Sequence, residues 1–205
     1  MDPLGKVYKT FMMLKYLLIL TLIFLGIFPV PVSADNGTIP VDLQAKLILT
    51  ALTYDKNLEE HASEQLEIAV LYFPWSVQSK EEALNFSKTL EMFQDKKISG
   101  RNFTVSLLIY NGDGGFKEKI ADKHVDVLFI AGGEEPMVRE ITKISQSAKI
   151  LSCSSRAKYV TTCGVTMAVG LKDNKPKIYL NLSSAKREGA DFSAKFLRVA
   201  EIVGE

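Results

Sequence analysis

An α/β fold, one mixed and mostly parallel sheet with helices on both faces and a C-terminal antiparallel hairpin, follows from three features of this 205-residue chain. Short apolar runs alternate with amphipathic stretches from residue 41 to residue 152. Those runs are apolar on both of their faces, as parallel strands covered on both sides must be. The last forty residues then switch to two adjacent strand patterns and a helical end.

Each element has its own warrant. Pro40 opens a helix predicted over residues 41–57, with Leu43, Leu47, Ala51 and Tyr54 on one stripe. Residues 66–73 read as a strand. Ser79 with Glu82 three residues on predicts a capping box and a second helix, whose apolar face is Ala83, Phe86, Leu90 and Phe93. A strand over 103–110 leads into a loop with Gly112, Gly114 and Gly115 and then a short helix to 121. A strand over 125–130 leads into Gly132, Gly133, Glu134 and Glu135 and a helix to 147, and residues 149–152 read as a fourth strand. Residues 165–171 and 177–182 form the hairpin about the polar turn 172–176. Asn181 or Ser183 caps the next helix, Gly189 interrupts it, and Phe192, Phe196, Leu197 and Ala200 return as an apolar stripe.

The N-terminus reads as an export signal. Lys6, Lys9 and Lys15 precede an apolar run over residues 16–28, followed by Pro29, Pro31 and a small-residue site ending at Ala34. The run is shorter than the roughly 20 residues a membrane span needs. The expectation is a signal peptide over 1–34, cleaved after Ala34, and a single domain over 35–205 that does not itself span the membrane. Residues 1–34 hold three Lys and one Asp, so 22 basic and 23 acidic residues remain beyond them. A nearly neutral chain of this kind has no electrostatic footprint for nucleic acid.

The motifs point away from catalysis. The glycine loops at 112–115 and 132–133 follow strands, where open sheets bind ligands, yet neither fits a dinucleotide or phosphate loop. Glu134 and Glu135 suit a helix N-terminus and would repel a phosphate there. Two S-x-x-K matches, at Ser155 and Ser183, lack their partner elements. His61 and His124 lie far apart, so no metal or cofactor site assembles in the sequence. Phe73 and Trp75, the latter the sole tryptophan, form a loop pair suited to anchoring an interface or to covering the adjoining core.

The chain has two cysteines, Cys153 and Cys163. In an oxidising compartment they read as a disulfide contributing roughly 2 to 3 kcal/mol, structural or regulatory.

The C-terminal order resembles the YfiR/HmsC-like family of periplasmic proteins. It has a strand led by Gly164, a strand running into Asn181 and Leu182, a short helix with Ala185 broken at Gly189, and a terminal helix with Leu197. That resemblance implies a periplasmic protein without enzymatic activity or cofactor. It would restrain a membrane-bound diguanylate cyclase by binding its periplasmic sensor domain, and so act on cyclic di-GMP signalling and biofilm formation. The pair Cys153 and Cys163 looks like the family's C-terminal disulfide. A homodimer is compatible with this reading. The chain departs from the family pattern in having no second cysteine pair and in carrying Ala190 after Gly189. Two other classes fit the residues: a solute-binding module with its ligand at the two glycine loops, and a thiol-redox sensor.

Overall fold

A computed structural model describes residues 39–58, 65–112 and 114–204. The expected signal peptide and its cleavage point at Ala34 lie outside these residues. Among the described residues, no helix is long and apolar enough to cross a membrane.

Among the described residues seven strands form one sheet: β1 (Gln65–Tyr72), β2 (Asn102–Ile109), β3 (Val127–Ile130), β4 (Leu151–Ser154), β5 (Met167–Lys172), β6 (Lys175–Leu180) and β7 (Glu201–Ile202), in the order β2-β1-β3-β4-β5-β6-β7. Only β5 and β6 pair antiparallel, which is the predicted hairpin. Its loop is two residues, Asp173 and Asn174, both with positive φ, the conformation that matches the twist of the flanking strands. The seven helices among the described residues are α1 (Val41–Leu52), α2 (Val77–Glu91), α3 (Phe116–Asp122), α4 (Glu135–Ala148), α5 (Ala157–Thr162), α6 (Leu182–Arg187) and α7 (Ala194–Leu197).

Alternating side chains along the strands divide the interior into two cores. Leu66, Ile68, Val70, Val127, Phe129, Cys153 and Met167 face one way and pack under α1, α2 and the C-terminal segment, with the Phe86 and Phe129 rings stacked 3.6 Å apart. Ala69, Leu71, Leu128 and Ile130 face the other way, under Phe116 and Ile120 of α3, Val138 and Ile141 of α4, and Tyr159 of α5. The crossover from β1 to β2 runs over the first face, those from β2 to β5 over the second, and the last, from β6 to β7 through α6 and α7, returns to the first. Strand order therefore reverses between β1 and β3, and their C-terminal ends flank the crevice where open α/β sheets hold ligands.

Several boundaries differ from expectation. The first helix stops at Leu52, and the chain continues in turns to an isolated bridge between Asp55 and Phe192. The fourth strand begins at Leu151, because Lys149 takes the left-handed C-cap of α4 with φ 59°. Helix α5 and strand β7 carry too little periodicity to be seen in the sequence; β7 is two residues long and exists only through its pairing with β6.

Candidate functional site

At the C-terminal ends of the strands, Phe73 is fully buried while Trp75, two residues on, is 51% exposed and lies tilted against it at 5.7 Å. Helix α2 starts earlier than the capping box predicts. Ser76 is the N-cap and accepts from the Ser79 backbone N–H at 3.2 Å, while the Ser79 hydroxyl accepts from the Phe73 N–H at 3.1 Å. Glu82 is thereby released for a different task. Its carboxylate accepts from the Gly132 N–H at 3.1 Å, from Arg156 Nη2 at 3.1 Å and from the Ser155 hydroxyl. One acidic side chain of α2 thus ties down the loops that end β3 and β4.

Gly132 and Gly133 are required by close approach, since a Cβ on Gly132 would overlap the Arg156 guanidinium and one on Gly133 the Phe73 ring. The Gly133 N–H donates to the Tyr159 hydroxyl at 3.0 Å, and that hydroxyl donates to the Gly133 carbonyl. Both amides that a phosphate would need are therefore occupied. Glu134 is the N-cap of α4, and Glu135 in its first turn pairs with Arg139 at 3.3 Å and Lys158 at 3.7 Å. A cavity of about 330 Å³ adjoins this cluster, between Gln44 of α1, Glu82, Arg156 and Gly170.

The other glycine loop does not join this cluster. Strand β1 separates β2 from β3, and edge-on ring contacts run from Phe73 to Tyr110 at 5.7 Å and on to Phe116 at 5.3 Å. Gly112 has φ +73° and is exposed, while Gly115 serves as the N-cap of α3.

The opposite end of the sheet holds a group that the sequence did not single out. Glu188, at the C-cap of α6 and 3% exposed, accepts from the Ser145 hydroxyl at 2.8 Å, the Ser152 N–H at 2.8 Å, the Ser152 hydroxyl at 2.7 Å and the Thr166 hydroxyl. Burial pushes its pKa up to about 7 against those hydrogen bonds. Glu188 also lines a cavity of about 400 Å³ with Asp55, His124, Asp126 and Lys149. Nothing in the sequence flags it, because its partners lie 22 to 43 positions away.

A family model described as YfiR/HmsC-like matches residues 43–201. The chain belongs to the YfiR/HmsC-like family. That family supports a periplasmic, regulatory role rather than a catalytic one. No curated protein matches the chain. Among solved structures it is similar to a conserved domain protein from Vibrio cholerae O1 biovar El Tor, at 16% identity and TM-score 0.55, covering 80% of this chain and 60% of that one. It is similar also to an ABC domain in complex with L-Trp from Streptococcus pneumonia, at 14% identity and TM-score 0.57, covering 80% and 62%. A third is the ligand-free, open structure of a substrate-binding protein with adhesive properties from Clostridium difficile, at 14% identity and TM-score 0.52, covering 73% and 58%. The chain thus spans about three fifths of each of these proteins, and at such identities the likeness is one of fold.

Within this YfiR/HmsC-like fold, the residues that carry the C-terminal resemblance have structural places. Gly164 and Gly189 both take positive φ, 77° and 86°. Asn181 caps α6 by accepting from the Ser184 N–H at 2.9 Å, Ala185 is buried, and Leu182 and Leu197 pack against the first core. The expected Cys153–Cys163 disulfide is corrected: both are free thiols. Cys153 belongs to the core under α1 and α2, whereas Cys163, after α5, belongs to the core on the other face, where it touches Thr162 at 3.3 Å and the Glu135 carbonyl at 3.7 Å. The sheet lies between them. Burial raises both thiol pKa values, and Glu188 adds to the effect at Cys153.

Proposed function

We propose that this YfiR/HmsC-like chain is a non-enzymatic regulator that is exported to the periplasm and restrains a membrane-bound diguanylate cyclase by docking on its periplasmic sensor domain. Family membership over residues 43–201 carries the reading. The chemistry at the crevice supports it. Glu82 and Arg156 neutralise each other at 3.1 Å, and the Gly132 and Gly133 amides are already bonded. Trp75, half exposed beyond the end of β1, stands on the buried Phe73 ring, a side chain suited to bury large area at small entropic cost.

The test is capture from detergent-solubilised host membranes with the exported protein as bait, followed by a cyclic di-GMP assay with and without it. Recovery of a cyclase whose output falls is the expected result. Recovery of no cyclase, or an output unmoved by the protein, would overturn the reading.

A second reading, a solute-binding module, is favoured by the cavity of about 400 Å³ beside Glu188, within the size range of small-molecule pockets. It places the ligand at the N-terminal ends of the strands rather than at the glycine loops. A metabolite that raises the melting temperature by several degrees would support it. Thiol-redox sensing draws no support from two buried thiols on opposite faces of a sheet.

A further inference from the structure

The ends of α1 and α2 frame a groove of about 120 Å³, lined by Lys46, Thr50 and Thr53 on the α1 side and by Phe93, Lys96 and Lys97 just past α2, with buried apolar side chains completing the lining. Among the described residues, three lysines line this groove and no carboxylate does. Lys46 and Lys96 lie over the same ring, Phe93, with their nitrogens 5.6 and 4.9 Å from its centroid. Lys46 also pairs with Asp42 at 3.1 Å, but the Lys96 and Lys97 ammonium groups have no hydrogen bond or ion pair among the described residues.

Capping does not account for them. Lysines after a helix commonly serve its free carbonyls. Here the carbonyls of Thr50, Ala51 and Leu52 accept from the amides of Thr53, Tyr54 and Asp55, and those of Lys88, Leu90 and Glu91 accept from Met92, Phe93 and Gln94. The Thr50 and Thr53 hydroxyls donate to the Lys46 and Thr50 carbonyls, so what the groove offers a ligand is cationic charge. Its size, well below the roughly 300 Å³ of a pocket for a whole small molecule, suits one phosphate head rather than a metabolite.

The surface beside the groove is apolar. Met92, directly before Phe93, is 73% exposed, and the exposed Lys88 stands one helical turn before it. Glu91 and Asp95 are exposed at this corner and do not line the groove. A bare apolar side chain among lysines is the arrangement of surfaces that lie on membranes, where the apolar group enters the acyl boundary and the ammonium groups meet lipid phosphates.

We propose that this corner docks on a bilayer containing anionic phospholipid, with a lipid phosphate held between Lys46, Lys96 and Lys97 and with Met92 in the acyl boundary. Such docking confines the exported protein to the membrane plane and raises its effective concentration near any membrane partner. It is independent of the contact made by Trp75.

Flotation of the purified exported protein with vesicles of phosphatidylglycerol in phosphatidylcholine, against vesicles of phosphatidylcholine alone, provides the test. Binding to the anionic vesicles is expected to be tighter by about tenfold or more, and to weaken as salt rises. The double variant Lys96→Gln and Lys97→Gln should lose about tenfold, and Met92→Ser should also bind less well. Lys123→Gln with Lys143→Gln removes the same charge from exposed positions elsewhere and should bind as the wild type does. A second measurement holds even if the lysine variant folds poorly: Met92→Trp in a Trp75→Phe background should shift to the blue on anionic vesicles and be quenched by brominated acyl chains. Equal binding to both kinds of vesicle, or to neither, overturns the proposal. So does an equal loss in the Lys123 and Lys143 variant, or an indole at position 92 that the brominated chains leave unquenched. Inorganic phosphate bound in dependence on Lys96 and Lys97, without vesicle binding, also overturns it and assigns the groove to a free phosphate.

Discussion

The Ser152 hydroxyl donates to Glu188 Oε1 at 2.7 Å while the Ser152 backbone N–H donates to Glu188 Oε2 at 2.8 Å, so one residue of β4 holds both oxygens of a buried carboxylate. Ser145 of α4 and Thr166 before β5 complete the set. Four segments of the chain therefore meet at one acid, with Asp55, Asp126, His124 and Lys149 as the other ionisable groups around the adjoining cavity.

The sign of the resulting pH dependence follows from the raised pKa. Unfolded, Glu188 loses its proton near its ordinary value of 4.5; folded, it keeps the proton until about 7. The folded state thus binds more protons between these limits, and this group's contribution to stability is fully present below pH 4.5 and is lost as pH rises through 7. Its size is on the order of 3 kcal/mol. In Glu188→Gln the stability difference from wild type should shift in the variant's favour as pH rises from 5 to 8, read as melting temperature in parallel titrations. A difference that does not change with pH would remove the argument.

The cysteines make a separate prediction. Denatured without reductant, the protein should titrate two thiols, and in the folded state both should react slowly. Two thiols appearing only after reduction would show a disulfide after all. Because the residues sit in different cores, the costs of Cys153→Ser and Cys163→Ser should add, with about 1–3 kcal/mol for placing a hydroxyl at the fully buried Cys153.

Gly133→Ala and Gly132→Ala should differ. An added methyl at Gly133 meets the ring of fully buried Phe73, which cannot yield without disturbing Tyr110, so a loss of about 1–3 kcal/mol is expected. At Gly132 the methyl meets the end of a flexible arginine. Arg156 can swing outward, leaving Glu82 still bonded to Ser155, and the loss should be smaller. Denaturant midpoints of the two variants check the order.

Trp75→Ala should leave the melting temperature within a few degrees, as half of the ring is in solvent, while abolishing or sharply weakening capture of the membrane partner. Full capture by a stable Trp75→Ala protein would move the interface elsewhere.

Much of the fold was legible because the sheet is covered on both sides: strands such as Gln65–Tyr72 are apolar on both faces beyond Glu67, and the polar run 172–176 marks the turn, which the structure narrows to Asp173 and Asn174. What escaped has a common physical cause. Ser79 and Glu82 have the spacing of a capping box, yet the energies that decide their partners come from Phe73, Gly132 and Arg156, none of which is local to the pattern. Glu188 looks from its neighbours like a solvated charge at a helix end, and only the packing of α4 and β4 around it makes it an interior group. The cysteine pairing misled for the same reason. Separation along the chain is silent about which face of a sheet each side chain takes.

A last consequence concerns observation of the molecule. Trp75 is the chain's sole indole, and it rests on Phe73 just past the C-terminal end of β1. Its emission is therefore a built-in optical gauge of that one spot: a blue shift on mixing reports water leaving the ring, with no dye, tag or engineered label required.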